Sequence, residues 1–278
     1  MIEHPTYQRP QALEFIPNRF KGHVVGITGA GNKDNLGYAA AERLIKEGVA
    51  GLALYDIQGE MDISQRLEDL AQQKGIAKFS VMDVTNLKSV QERMRETHSY
   101  FGRLDAIINC AGISGDTGKT IEETDPDIFR QIVEVNFFGS YNITRTIIPL
   151  MKQQGYGRIL LVDSIAGVDG NPKMAGYCTS KFGVSGLIVG TGQELAAYRK
   201  ENSHTDININ GIAPILIDTR MLRTKNDEEG IQRMASMVPD GRIATRQEFA
   251  ALALYIISPE NTGSQGFIFD LSHGRRRR

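Results

Sequence analysis

Seven short apolar runs recur along this chain, each but the last followed by a stretch of helix length and helical periodicity, and this alternation limits the fold more than any other feature. The runs are VVGIT (24–28), GLALYD (51–56), AKFSVMDV (77–84), LDAIINCAG (104–112), GRILLVDS (157–164), DININGIAP (206–214) and GFIFDLS (266–272). The segments between them include 36–47, MDISQRLEDLAQQK, NLKSVQERMRETHSYF, DIFRQIVEVNFFGSYNITRTIIPLMKQQ and KMAGYCTSKFGVSGLIVGTGQELAAYRK. Strands that are apolar throughout are buried on both faces, as in a parallel sheet covered by helices. Right-handed crossovers then wind the sheet twice. The expected fold is therefore α/β, a doubly wound parallel sheet of about seven strands with helices on both faces. Pro149 falls late in the fourth helical segment and is expected to bend it.

With 278 residues and no linker-like stretch, one domain suffices. The reading is an N-terminal arm over 1–20, a single domain over 21–274 and a basic tail over 275–278. The net charge is −1 although Arg275–Arg278 adds four positive charges, so the body is mildly acidic and shows no broad basic face for nucleic acid. Two well-separated cysteines, Cys110 and Cys178, suit a reducing compartment, and the neighbour of Tyr177, Cys178, reads as a small buried filler. The five histidines have no metal-ligand spacing, so no metal site is expected. No apolar run reaches membrane-spanning length, and the N-terminus lacks the pattern of a signal peptide. The expected setting is cytoplasmic, with no membrane partner.

Doubly wound sheets bind ligands at the carboxyl ends of their strands. VVGITGAGNKDNLG joins the first strand to the first helix there. Gly29, Gly31 and Gly37 would let the backbone approach a pyrophosphate, but the spacing is not GxGxxG, and a plain glycine-rich turn is the competing reading. Asp56 ends the second run, nineteen residues after Gly37. A carboxylate there accepts hydrogen bonds from ribose hydroxyls and repels a 2′-phosphate, which favours NAD over NADP; a capping or surface aspartate is the alternative. Asp83 closes the third run where an adenine amino group could be met, and Asn109, Ala111 and Gly112 close the fourth with small residues beside the dinucleotide.

Tyr177 and Lys181 lie four apart in a helical segment, hence on one face. An ammonium beside a phenol stabilises the phenolate, and the expectation is a lowered tyrosine pKa suited to proton transfer at an alcohol carbon. YxxxK is a weak pattern alone, although Tyr177 is the only tyrosine with lysine at i+4. Ser164 ends the fifth run thirteen residues earlier, where a hydroxyl can donate to a substrate oxygen. Asn136 sits inside an apolar helix, where it is either functional or a satisfied packing amide.

Together, TGAG(x)5G, Asp56, Asp83-Val84, NCAG (109–112), Asn136, Ser164, YCTSK (177–181) and APILIDTRM (213–221) resemble the short-chain dehydrogenase/reductase family from about residue 21 to 273. The resemblance implies a Rossmann-type sheet and the catalytic set Asn136, Ser164, Tyr177 and Lys181. In it the serine orients the substrate oxygen and the tyrosine exchanges the proton. The lysine holds the nicotinamide ribose and tunes the tyrosine, and the asparagine holds a water in a proton relay. It implies NAD contacts at Gly29, Asn35, Leu36, Asp56, Asp83, Val84, Asn109, Ala111, Gly112, Tyr177, Lys181, Ile217 and Thr219, and a homo-oligomer, tetramer or dimer, paired through the long helices.

Three positions depart from the family pattern. The glycine loop is two residues longer and resembles that of divergent enoyl reductases. Ile215 replaces the usual glycine after Pro214. Asp163 stands where a small polar residue is frequent, and alternation along the strand is expected to turn it away from Ser164. The expected activity is NAD(H)-dependent interconversion of a secondary alcohol, such as a polyol, and a ketone. The alternatives are a 3-oxoacyl-thioester reductase and a non-catalytic NAD-binding protein; C=C reduction conflicts with the YxxxK spacing. The stretch MLRTKNDEEGIQRMASMV (221–238) reads as a mobile lid or a packed helix, with Ile231, Met234 and Met237 on its apolar stripe.

Overall fold

The computed structural model describes residues 15–59 and 62–275. Seven strands form one parallel sheet in the order β3-β2-β1-β4-β5-β6-β7. They are β1 (Val24–Thr28), β2 (Gly51–Asp56), β3 (Ala77–Val81), β4 (Ala106–Asn109), β5 (Tyr156–Val162), β6 (Asp206–Pro214) and β7 (Ile268–Leu271). The helices are α1 (Leu36–Lys46), α2 (Ile63–Ala71), α3 (Leu87–Phe101), α4 (Pro126–Val133), α5 (Gly139–Gln154), α6 (Ala175–Glu201), α7 (Arg220–Arg223), α8 (Glu228–Ser236) and α9 (Arg246–Ile257).

Alternate side chains of each strand feed opposite cores. Val25, Ile27, Leu52 and Leu54 pack with Leu44 of α1 and Phe249 and Ile256 of α9. Val24, Ala53, Tyr55 and Ile107 pack with Val90 of α3, Ile147 of α5 and Val184 of α6. The winding reverses between β1 and β4, and Thr28 pairs in register with Tyr55 on one side and Asn109 on the other. These three strands therefore end at one level and open a crevice at their carboxyl edge.

Several boundaries differ from the sequence expectations. The third run leaves the sheet at Val81, and Asp83 lies in a turn, its Oδ1 accepting hydrogen bonds from the Thr85 N–H and hydroxyl. An aspartate that can satisfy its own local backbone favours such a turn over a ladder. β5 ends at Val162, so Ser164 instead caps a short 3₁₀ turn, Ile165–Gly167. The expected single long helix is interrupted by a wide turn over Glu134–Phe138, where the Gly139 N–H reaches back to the Glu134 carbonyl. Pro149 lies within α5 without ending it. Ahead of residue 21, Phe20 is fully buried in the core and Arg19 donates to Glu47 at 2.6 Å. Residues 1–14 and the tail beyond Arg275 lie outside the described residues.

Candidate active site

A cavity of about 610 Å³ runs along the carboxyl ends of the central strands. Its first wall is the glycine loop. Gly29 has φ +64°, and a Cβ there would stand 2.8 Å from the Cys110 carbonyl carbon, so only glycine fits without displacing β4's end. A Cβ on Gly37 would come within 2.9 Å of the Gly29 carbonyl, which seats the first turn of α1 directly on the loop. Asn35 caps α1 with extended backbone and no side-chain cap bond, and Asn35, Leu36 and Gly29 all line the cavity. The N–H groups of a first helical turn have no partner within the helix and suit a bound anion. The longer loop is anchored from outside: Asp34 pairs with Arg246 of α9 at 2.8 Å, and its carbonyl accepts from the Arg220 N–H.

Asp56 stands at the end of β2 with Oδ2 accepting from the Gly31 N–H at 2.9 Å and Oδ1 from the Ile57 N–H. Asp56, Asp83, Val84, Ala111, Gly112, Ile217 and Thr219 all line the cavity. Asn109 does not. It is buried, its Oδ1 accepting from the Thr28 hydroxyl at 2.5 Å and its amide donating to Ser140 at 2.9 Å. Thr28, which lines the cavity, also accepts from the Ala111 N–H at 3.0 Å, so the pair fixes the cavity floor. Tyr55, Met82, Thr85, Gln131, Glu134 and Val135 also line the cavity and carried no sequence signal.

At the other end, α6 brings Tyr177 and Lys181 onto one face. The Ser164 side chain neighbours the Tyr177 phenol and favours its ionised form. Lys181 is buried; its Nζ donates to the Val162 carbonyl at 2.7 Å and stands 5.7 Å from the Tyr177 ring centre. The expectation of an acidified phenol is not met by these residues alone. Burial pushes the Tyr177 phenol up to about 12; the Ser164 bond opposes this, while the carboxylate of Asp163 reinforces it. The lysine is turned to a backbone carbonyl instead of the phenol, and burial lowers its own pKa while Asp163 raises it.

Asn136 sits at the middle of the wide turn and is fully buried. Its carboxamide holds the Ile113 backbone from both sides, at 2.8 and 2.9 Å, and donates to Ser180 at 3.0 Å. The side chain is thus committed to positioning the β4–α4 connection. A Cβ on Gly112 would stand 3.1 Å from Asn136 Oδ1 and 3.9 Å from Lys181 Nζ, so the two residues face the same small space.

A second cavity, of about 940 Å³, opens on the other side of Tyr177. Tyr177, Ile215, Ile217, Thr219 and Met221 belong to both walls. The 221–238 stretch folds as α7 and α8, with Ile231 buried, while Met234 and the exposed Met237 face this cavity. Cys178 is half-buried, not a core filler: its thiol accepts from the Asn171 N–H at 3.2 Å beside the cavity rim.

A family model for short chain dehydrogenases matches residues 23–230. The chain belongs to this family. Within it, the chain is 30% identical to a 2-dehydro-3-deoxy-L-rhamnonate dehydrogenase (NAD(+)) of Sphingomonas sp. (strain SKA58), over 95% of this chain and 99% of that protein. It is 30% identical to the 3-oxoacyl-[acyl-carrier-protein] reductase FabG of Thermotoga maritima, over 92% and 98%. The crystal structure of levodione reductase superposes with a TM-score of 0.82 at 27% identity, covering 92% of this chain and 98% of that one. This short-chain dehydrogenase is therefore an oxidoreductase with a seven-stranded Rossmann-like sheet. Among the described residues no cluster has the composition of a metal site, and no helix is long and apolar enough to cross a membrane.

Proposed function

We propose that the protein interconverts a secondary alcohol and a ketone by hydride transfer with NAD(H). The observation that carries this reading is the place of Tyr177 in the wall common to both cavities, with Ser164 beside its hydroxyl and Lys181 one helical turn along. The dinucleotide cavity fits its occupant: the glycine positions leave no room for a Cβ, and the first turn of α1 faces it. When bound, the nicotinamide supplies the hydride acceptor or donor and, oxidised, a positive charge near the phenol. The chain's own residues do the rest. Ser164 holds the substrate oxygen. Tyr177 takes the hydroxyl proton in the oxidative direction and returns it to the ketone oxygen in the reductive one. Lys181 keeps a buried positive charge beneath the phenol. The Asn136 carboxamide holds the Ile113 backbone in place.

The preference for NAD rests on charge. Lys181 is the only cation among the residues lining the dinucleotide cavity, which also carries Asp56, Asp83, Glu134 and Asp163. A 2′-phosphate entering there meets carboxylates without a compensating cation. Native protein should show higher kcat/KM with NAD+ than with NADP+, and Asp56→Ala should move that ratio toward NADP+ about tenfold, roughly 1.4 kcal/mol. An NADP+ preference in the native protein would overturn the assignment.

The substrate cavity favours a polar hydroxy compound. Lys225 and Arg275 line it and hydrogen-bond to the backbone carbonyls of Gly115 and Met237, and neither forms an ion pair among the described residues. A second reading, reduction of 3-oxoacyl thioesters, draws support from the apolar side of the same cavity, Met174, Met234 and Met237. A panel of polyols, sugar acids and 3-hydroxyacyl thioesters, followed by NADH absorbance, separates the two. Under the first reading, Lys225→Gln should raise KM for a sugar acid and leave KM for the matching neutral polyol unchanged. The exposed Phe138, Tyr141, Phe182 and Val189 support a homo-oligomer paired through α5 and α6. The free thiols Cys110 and Cys178 suit a reducing compartment.

A further inference from the structure

Beyond the end of β5 two neighbouring side chains diverge. Ser164 faces Tyr177, whereas Asp163 enters the space between β5 and α6 and is 1% exposed. Its Oδ2 accepts from the Ser185 hydroxyl at 2.5 Å, and its Oδ1 has no hydrogen-bond partner. Gly167 makes the room: a Cβ there would stand 2.5 Å from Oδ1 and 2.7 Å from the Lys181 Cβ. Lys181 Nζ in turn donates to the carbonyl of Val162, the residue before Asp163. A carboxylate and an ammonium therefore flank the same turn of backbone in a buried setting. Asp163 raises the lysine's pKa and Lys181 lowers the aspartate's, while burial acts against both charges and holds Asp163 up to about 6. Two other titratable groups are coupled to the pair: Tyr177, which Asp163 raises, and Cys110 just after β4, which acts on Lys181.

A buried carboxylate with one unsatisfied oxygen destabilises a fold. Its position accounts for its presence. We propose that Asp163 is a positioning residue of the active site: its carboxylate keeps Lys181 charged in the interior and so extends the working range of the site toward alkaline pH. Ser185 and Gly167 are the companion positions, one fixing the carboxylate and the other leaving space for it. The proposal rests on the proton-transfer reading of Tyr177 and Lys181.

The test compares native protein with Asp163→Asn, which keeps the size, and Asp163→Ser, which shortens the side chain. A carboxyl whose folded pKa lies above its unfolded one favours the folded state only while protonated. Both variants should therefore melt at higher temperature than native protein at pH 8, and the gain should fade as pH falls from about 6 to below 3.8. With the carboxylate gone, Lys181 loses its proton at lower pH. The alkaline limb of kcat/KM for NAD+-dependent alcohol oxidation should then move down by about one unit, with about a tenfold loss on that limb. The alkaline limb of NADH affinity, read by fluorescence without turnover, should move with it. Higher melting temperatures with both pH profiles superimposed on native would overturn the proposal. Full turnover in Tyr177→Phe would instead overturn the proton-transfer reading itself, which keeps the two failures distinct.

Discussion

Tyr177→Phe should lower kcat by about 10²–10⁴-fold, the range a positioned proton donor or acceptor supplies, and leave the NADH dissociation constant essentially unchanged. The substitution keeps the ring that separates the two cavities and removes only the oxygen beside Ser164. Because burial pushes this phenol up to about 12, the protein on its own keeps it protonated across the neutral range. Ketone reduction needs the protonated form and alcohol oxidation the phenolate. Oxidation should therefore quicken with rising pH, and reduction should slow on the same limb. Stopped-flow measurement of NADH formation and decay at fixed, saturating nucleotide would separate the two directions. Turnover within a factor of a few of native in the phenylalanine variant would remove Tyr177 from the chemistry.

Arg158→Leu should cost about 3–5 kcal/mol of folding free energy and leave kcat/KM intact. Arg158 lies at the opposite edge of the sheet and is 1% exposed, the largest of the fully buried side chains. Its guanidinium donates to the carbonyls of Gly157, Asp206 and Ser258 and pairs with the Asp206 carboxylate at 2.5 Å. One side chain thus ties β5 to the start of β6 and to the residue after α9. Leucine supplies none of those donors and leaves buried carbonyls without partners, the costly half of a broken hydrogen bond. Urea unfolding should show a lower midpoint with an unchanged slope. A loss below about 1 kcal/mol would show that water or neighbouring donors replace the guanidinium.

Much of this is legible in the sequence. All seven strands were expected, because burial on both faces writes a continuous apolar run that no surface helix shares. Asp56 and the glycine loop were legible for a related reason: a close backbone approach and a repulsive charge each demand a particular residue type. Asn109 shows where that logic ends. It closes β4, yet only the structure reveals that its carboxamide bonds to Thr28 and Ser140. The wide turn at Asn136 was hidden because its flanks, α4 and α5, are both helical, and a single extra residue in a turn barely disturbs their periodicity. The second cavity was the least legible. Ser114, Asn171 and Lys225 meet there from three separate connections and Arg275 from the segment after β7, and no local pattern marks them as neighbours. The Tyr177 phenol went the other way from the sequence expectation because burial dominates it, while Lys181 donates to a backbone carbonyl.

The strand order carries a further consequence for synthesis. β1 lies between β2 and β4, and the bond from Thr28 to Asn109 spans 81 residues of chain. Until the segment through β4 has left the ribosome, the first strand has a bare flank and no floor for its glycine turn. A nascent chain halted before that point should stay sensitive to protease and tend to associate through its unpaired edge. Chains released at increasing length should gain protection abruptly, not gradually, because long-range parallel pairing is all but useless until both neighbours are present.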